Sequence, residues 1–167
     1  REFVRLLLKD KNVDEIWALA RNEKKLSRLK DKFGKKIKIY SIDLSSVRQI
    51  KCFGEELHEE AGRKNLEISY LVNNAGFAKF CSYGDLSVEE SLNMMHVNMD
   101  AVVAMGLVCI PYMKKGSHMI NIASQASFQP LPYQNIYSST KSFVRNYSRA
   151  LNVELKEKGI CVTAVCP

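Results

Sequence analysis

The chain has 167 residues, of which 46% are apolar and 26% charged, and its 25 lysines and arginines against 18 acids leave a formal net charge of +7. This composition excludes a disordered tail and supplies enough apolar surface for one globular core. The longest apolar run, 101–110, is about half of the roughly 20 residues that a membrane-spanning helix requires, so no such segment is expected.

The sequence opens at Arg1 and stops at Pro167 directly after an apolar run, and both ends read as cuts through a longer polypeptide. A charged leader with an apolar core and a small-residue cleavage site is not found near the start. In chain order, Phe3, Leu6 and Leu7 recur at helical spacing, and 16–20 is a compact apolar run of strand length. Asn22 is placed to cap a helix over 23–32 that Gly34 ends. Ile37, Ile39 and Ile42 mark a second strand, and Ser45 or Ser46 caps a helix carrying Val47, Ile50, Phe53 and Leu57 that closes near Gly62.

Residues 68–72 form a third buried strand that runs into the polar turn Asn73-Asn74-Ala75-Gly76. Ser87 with Glu90 makes a capping box for a long helix reaching about residue 113. A strand at 119–123, a loop at 124–133, a helix at 135–158 with Phe143, Tyr147, Leu151 and Leu155 on one face, and a last strand at 160–166 complete the order. Continuous apolar strands alternating with amphipathic helices describe a doubly wound α/β domain with a parallel sheet, taken as one domain over 1–167. In such sheets ligands sit at the carboxyl ends of the strands.

The five cysteines are odd in number and contain no CxxC pair, which fits reduced, buried thiols in a cytoplasmic protein and gives no zinc site. The three histidines lie far apart, so no metal is expected. The window 24–38 holds eight basic residues and one acid, a local excess equal to that of the whole chain. Such a run is ordinarily a solvated helix face, and with only Phe33 interleaved it offers no base-stacking groove, so no nucleic-acid partner is expected.

The chemistry-bearing pair is Tyr137 and Lys141, four apart and therefore on one helix face. A phenol is a poor acid or base at neutral pH unless a nearby cation stabilises its phenolate, and Lys141 supplies one. Ser124 lies 13 residues earlier at a strand's carboxyl end, where its hydroxyl can bond the oxygen that Tyr137 protonates. Asn98 stands alone inside an apolar helix and needs a partner or a task.

Taken together, NNAG at 73–76, Asn98 in VNMDA, Ser124 in NIAS, and Tyr137 with Lys141 in YSSTK resemble a classical short-chain dehydrogenase/reductase, in order and over essentially the whole chain. The resemblance implies that Tyr137 is the general acid/base, that Lys141 lowers its pKa and binds the nicotinamide ribose, that Ser124 orients the substrate carbonyl, and that Asn98 holds a water in a proton relay. It further implies that Asn74, Ala75 and Gly76 line the adenosine side of the cofactor and that Asp43 and Leu44 flank the adenine. Members that prefer NAD place an acid after the second strand, whereas Arg21 stands there in this chain. A guanidinium suits a 2′-phosphate, so NADP(H) is expected, with Lys24 or Lys25 as helpers.

The sequence departs from the family's pattern in lacking its first strand, its glycine-rich turn and the segment with the substrate lid and last strand. The 167 residues alone are therefore expected to bind cofactor poorly. The expected activity of the parent is reversible hydride transfer between NADP(H) and a secondary alcohol or ketone, with a non-catalytic NADP-binding regulator or scaffold as the alternative. Phe77, Phe80, Phe128, Leu131 and Tyr133 lie in loops that would edge the pocket and favour a bulky apolar carbonyl substrate. A homodimer or homotetramer through the two long helices, and no membrane partner, complete the expectation.

Overall fold

Capping chemistry legible in the sequence sets several helix starts in the computed structural model, which describes residues 1–167. The chain forms two compact units, Arg1–Leu44 and Ser45–Pro167. In the first, α1 (Glu2–Leu7) buries no residue and is followed by β1 (Ile16–Ala20), α2 (Glu23–Phe33) and β2 (Ile37–Ser41). β1 and β2 pair in parallel from Ile16↔Ile37 to Ala20↔Ser41. Asn22 Oδ1 accepts the Lys25 N–H at 2.9 Å to start α2, and Gly34, at φ +85°, ends it in a conformation that a Cβ disfavours. Val13, Ile16, Leu26, Ile37 and Ile42 form this unit's buried apolar set, while Lys24, Lys25, Arg28, Lys30 and Lys32 are exposed.

The second unit holds α3 (Val47–Lys64), β3 (Tyr70–Asn73), α4 (Val88–Met95), α5 (Ala101–Cys109), β4 (His118–Ile122), α6 (Asn135–Glu154) and β5 (Cys161–Val165). Its three strands are parallel in the order β3-β4-β5. α5 packs on β3, and α6 on β4 and β5. The chain is thus a Rossmann-like α/β protein with parallel sheets. β1 pairs with β2, and β3 with β4.

Several details differ from expectation, each for a local reason. α3 does not close at Gly62 but runs to Lys64 and stops at Asn65, whose φ of 50° is a left-handed conformation that asparagine tolerates. α6 ends at Glu154 instead of 158, and a run of turns leads to Gly159 at φ +68°. The helix expected from 87 to 113 starts as read, with both arms of the Ser87–Glu90 capping box formed. It is then interrupted by a π turn at His96–Asp100 and finishes as a 3₁₀ turn at Ile110–Tyr112 containing Pro111.

Val88–Tyr112 is nonetheless a helical stretch of 25 residues, long and apolar enough by length and composition to cross a membrane, which the run at 101–110 alone did not reveal. Here it serves as a core helix, with Met94, Val97, Asn98, Ala101, Val102, Met105 and Cys109 buried. The five cysteines are all unpaired, but the expectation that they are buried holds only for Cys109; Cys52 and Cys161 are exposed because they fall on the outward face of α3 and at the start of the outer strand β5.

Candidate functional site

The site grows from the carboxyl ends of β3 and β4. Asn73 closes β3, and its Nδ2 donates at 2.8 Å to Oδ1 of Asn121 on β4. Asn121 is fully buried and donates through Nδ2 at 2.9 Å to Ser148 Oγ, which in turn donates to the Val144 carbonyl at 2.7 Å. This chain of amides and hydroxyls fastens two neighbouring strands to α6. Each buried polar atom in it has a partner, as burial requires. The sequence reading missed Asn121 and Ser148; the signal was an amide inside the apolar strand of NIAS.

Beyond β3 the NNAG turn leaves the sheet with Asn74, Ala75 and Gly76 exposed. Gly76 has a specific steric task. A Cβ at this position would stand 3.0 Å from Asn98 Oδ1 and 3.2 Å from Lys141 Nζ. A Cβ there would press on both groups, so glycine lets the turn lie close against Asn98 and Lys141.

Asn98 occupies the π turn and is fully buried. Its Nδ2 donates to the Phe77 carbonyl at 3.0 Å and to Thr140 Oγ1 at 3.1 Å, and its Oδ1 accepts the Phe77 N–H at 3.1 Å. Both amide hydrogens are therefore committed to protein groups. π turns insert one residue into a helix and so redirect side chains, and they recur at functional sites. Here the redirected amide clamps the segment that follows NNAG.

Tyr137 and Lys141 share a face of α6, with Nζ 5.8 Å from the centroid of the phenol ring. Lys141 is 4% exposed, and Nζ donates at 2.7 Å to the carbonyl of Ile122, the last residue of β4. Burial pushes the Lys141 pKa below the ordinary lysine value, because water no longer solvates the ammonium. Ser124 follows two residues after that carbonyl, half-buried, and its Oγ accepts the Ala126 N–H at 3.2 Å. Its own hydrogen remains available to donate.

The structure thus brings Gly76, Asn98 and Lys141 together, with Tyr137 beside the lysine and Ser124 on the same strand end. Arg21, Asp43 and Leu44 lie in the first unit. Arg21 is exposed, directly after β1, and its carbonyl accepts from Ser41 Oγ at 3.5 Å. Asp43 and Leu44 follow β2 and are half-buried. Of the expected pocket residues, Phe80, Phe128 and Tyr133 are exposed, and Phe128 and Leu131 line a cleft of about 740 Å³ with Arg145, whose guanidinium rests 4.4 Å from the Phe128 ring centroid. Among the described residues no cluster of His, Cys, Asp or Glu could hold a metal ion.

The polar groups gather at the carboxyl ends of parallel strands, where α/β sheets of this kind place their ligands. The sequence profile described as "short chain dehydrogenase" matches residues 1–167. This chain belongs to the short-chain dehydrogenase family. It is 35% identical over 114 residues to the 17-beta-hydroxysteroid dehydrogenase type 3 of Mus musculus, covering 66% of this chain and 37% of that protein. It is 31% identical over 156 residues to the NADP-dependent 3-hydroxy acid dehydrogenase YdfG of Escherichia coli, covering 92% of this chain and 61% of the relative. Among solved structures, the closed form of serine dehydrogenase complexed with NADP+ superposes with a TM-score of 0.83 at 29% identity, covering 99% of this chain and 66% of that one. The chain spans 37% and 61% of the lengths of these two curated relatives.

Proposed function

We propose that this chain carries the acid/base centre of an NADP(H)-dependent oxidoreductase that interconverts a secondary alcohol and a ketone. The observation that carries the reading is the convergence of Lys141, Asn98 and the side-chain-free Gly76 beside the Tyr137 ring. In the reducing direction Tyr137 Oη gives its proton to the carbonyl oxygen, and Ser124 donates a hydrogen bond to the same oxygen. Lys141, anchored on the Ile122 carbonyl, places positive charge beside the phenol ring. Asn98 keeps the Phe77 segment and α6 in register, and a water between it and Lys141 returns the proton from solvent.

The residues fit a nicotinamide dinucleotide. Asn74, Ala75 and Gly76 offer a small, exposed turn against which its adenosine side can lie, and the family resemblance assigns Asp43 and Leu44 of the first unit to the adenine. Tyr137 and Lys141 would hold the nicotinamide ribose. When bound, the coenzyme supplies the hydride that reaches the carbonyl carbon. Arg21, exposed at the end of β1 with Lys24 and Lys25 next to it, favours the 2′-phosphate of NADP(H) over the free hydroxyl of NAD(H).

The name of one relative, a hydroxysteroid dehydrogenase, together with the apolar loop residues, favours a bulky apolar carbonyl substrate over the smaller hydroxy acids named for the others. Five unpaired cysteines favour a reducing compartment, the cytoplasm. Exposed Leu107, Phe143 and Val153 on α5 and α6 favour a homo-oligomer. The decisive experiment is Tyr137→Phe in the intact protein, assayed for carbonyl reduction and for NADPH binding. Turnover is expected to vanish while binding persists; retained turnover overturns the assignment.

A further inference from the structure

Thr140 is the residue before Lys141 and is 1% exposed. Its hydroxyl hydrogen goes to the Tyr137 carbonyl at 2.7 Å, and its oxygen accepts from Asn98 Nδ2 at 3.1 Å. Donation from a helical threonine to the carbonyl three residues back is ordinary local chemistry. The incoming bond is different, because it comes from the π turn, 42 residues away in the chain. Thr140 Oγ1 is therefore a junction between the backbone of the proposed acid/base tyrosine and the amide that clamps Phe77.

We infer that Thr140 is a positioning residue of the reaction, holding the Asn98 amide, and through it the Phe77 segment, beside Gly76 and the Lys141 ammonium. The inference rests on the reading of Tyr137 and Lys141 given above. Without the hydroxyl, one Asn98 N–H is buried with no acceptor, since the other already serves the Phe77 carbonyl. An amide in that state turns or draws back. Its Oδ1 and Lys141 Nζ both border the space over Gly76, where a Cβ would stand 3.0 and 3.2 Å from them, so a displaced amide alters the surroundings of Lys141. The geometry of the Lys141 and Tyr137 pair changes while the groups that touch the coenzyme's remote parts do not.

The test compares Thr140→Val, which keeps the shape and removes the hydroxyl, with Thr140→Ser, which keeps the hydroxyl, in the intact protein. Thr140→Val is expected to lower kcat about tenfold or more with KM for coenzyme and carbonyl held within about twofold, and Thr140→Ser to keep kcat within about threefold of wild type. Packing by the methyl group would give the reverse order, so a folded Thr140→Ser that loses tenfold overturns the inference even where Thr140→Val is too unstable to purify. Equal kcat in Thr140→Val and wild type overturns it as well, as does a loss confined to KM. Tyr137→Phe is assayed alongside. If Tyr137→Phe is inactive and Thr140→Val is not impaired, the inference alone fails; if Tyr137→Phe still turns over, the underlying reading fails and takes the inference with it.

Discussion

At the scale of the residue, Lys141 holds an ammonium where water is nearly excluded. It donates to the Ile122 carbonyl, and desolvation lowers its pKa from the ordinary value of 10.5. The folded state therefore gives up this proton more readily than the unfolded chain does. Between the lowered value and 10.5 the unfolded state binds more protons, so stability must rise with pH across that window. Below the window both states are protonated and the full cost of burial remains. Lys141→Met removes the titration. Relative to this variant, the wild type is expected to gain stability as pH climbs toward 10.5, while the variant loses turnover at every pH. Urea unfolding at a series of pH values reads the difference; parallel curves for the two proteins would contradict it. The pairing of Tyr137 with Lys141 was legible in the sequence because helical spacing alone puts residues four apart on one face. The burial of Lys141 was not, since it depends on where the end of β4 falls.

At the scale of the element, starts and turns chosen by a neighbouring side chain were readable. Asn22, Ser46 and the Ser87–Glu90 box all cap as the sequence implies, because their partners lie three residues away. The π turn was not readable, because Asn98 is fixed by Phe77 and Thr140 from outside its helix. The buried face of α6 was also misjudged. Of the apolar residues four apart, Leu155 is buried and Tyr147 packs half-buried on the core, yet Phe143 is 38% exposed and the buried positions within α6 are Ser138, Thr140, Lys141, Val144 and Ser148. Val144 packs with Val102 and Ala123, and the polar positions around it are buried because each finds a hydrogen bond there. Asn121→Leu tests that explanation. It leaves Asn73 Nδ2 without its acceptor and Ser148 Oγ without its donor, and unpaired buried groups cost about 1–3 kcal/mol each. A loss of about 2 kcal/mol in chemical denaturation is expected. A variant as stable as wild type would show that the strand-to-helix amide chain contributes little.

At the scale of the whole molecule, the order of motifs carries the fold, since NNAG and NIAS each sit at the carboxyl end of a strand and YSSTK lies in the first turns of α6. What composition could not give is how unevenly hydrogen bonding is distributed. β4 is paired on both sides, by β3 and β5, and Met119 within it is fully buried. β1 and β2 form a two-stranded sheet in which each has one partner. Two-stranded pairs are marginal on their own, and amides open most readily where few bonds and little burial oppose it. Ile16 and Ile37 are buried at one end of that pair, but Trp17, Ala18 and Leu19 are only half-buried. Hydrogen exchange on the chain 1–167 is therefore expected to show the slowest amides at Met119, Ile120 and Asn121. Exchange in β1 and β2 should be about tenfold faster or more, the ratio that a 1.4 kcal/mol difference in opening free energy produces. Equal protection at Ala18 and Ile120 would mean that opening is global and that the two sheets share one stability. A graded pattern would instead locate the rigid support of Tyr137, Lys141 and Asn98 in the three-stranded sheet and the helices packed on it.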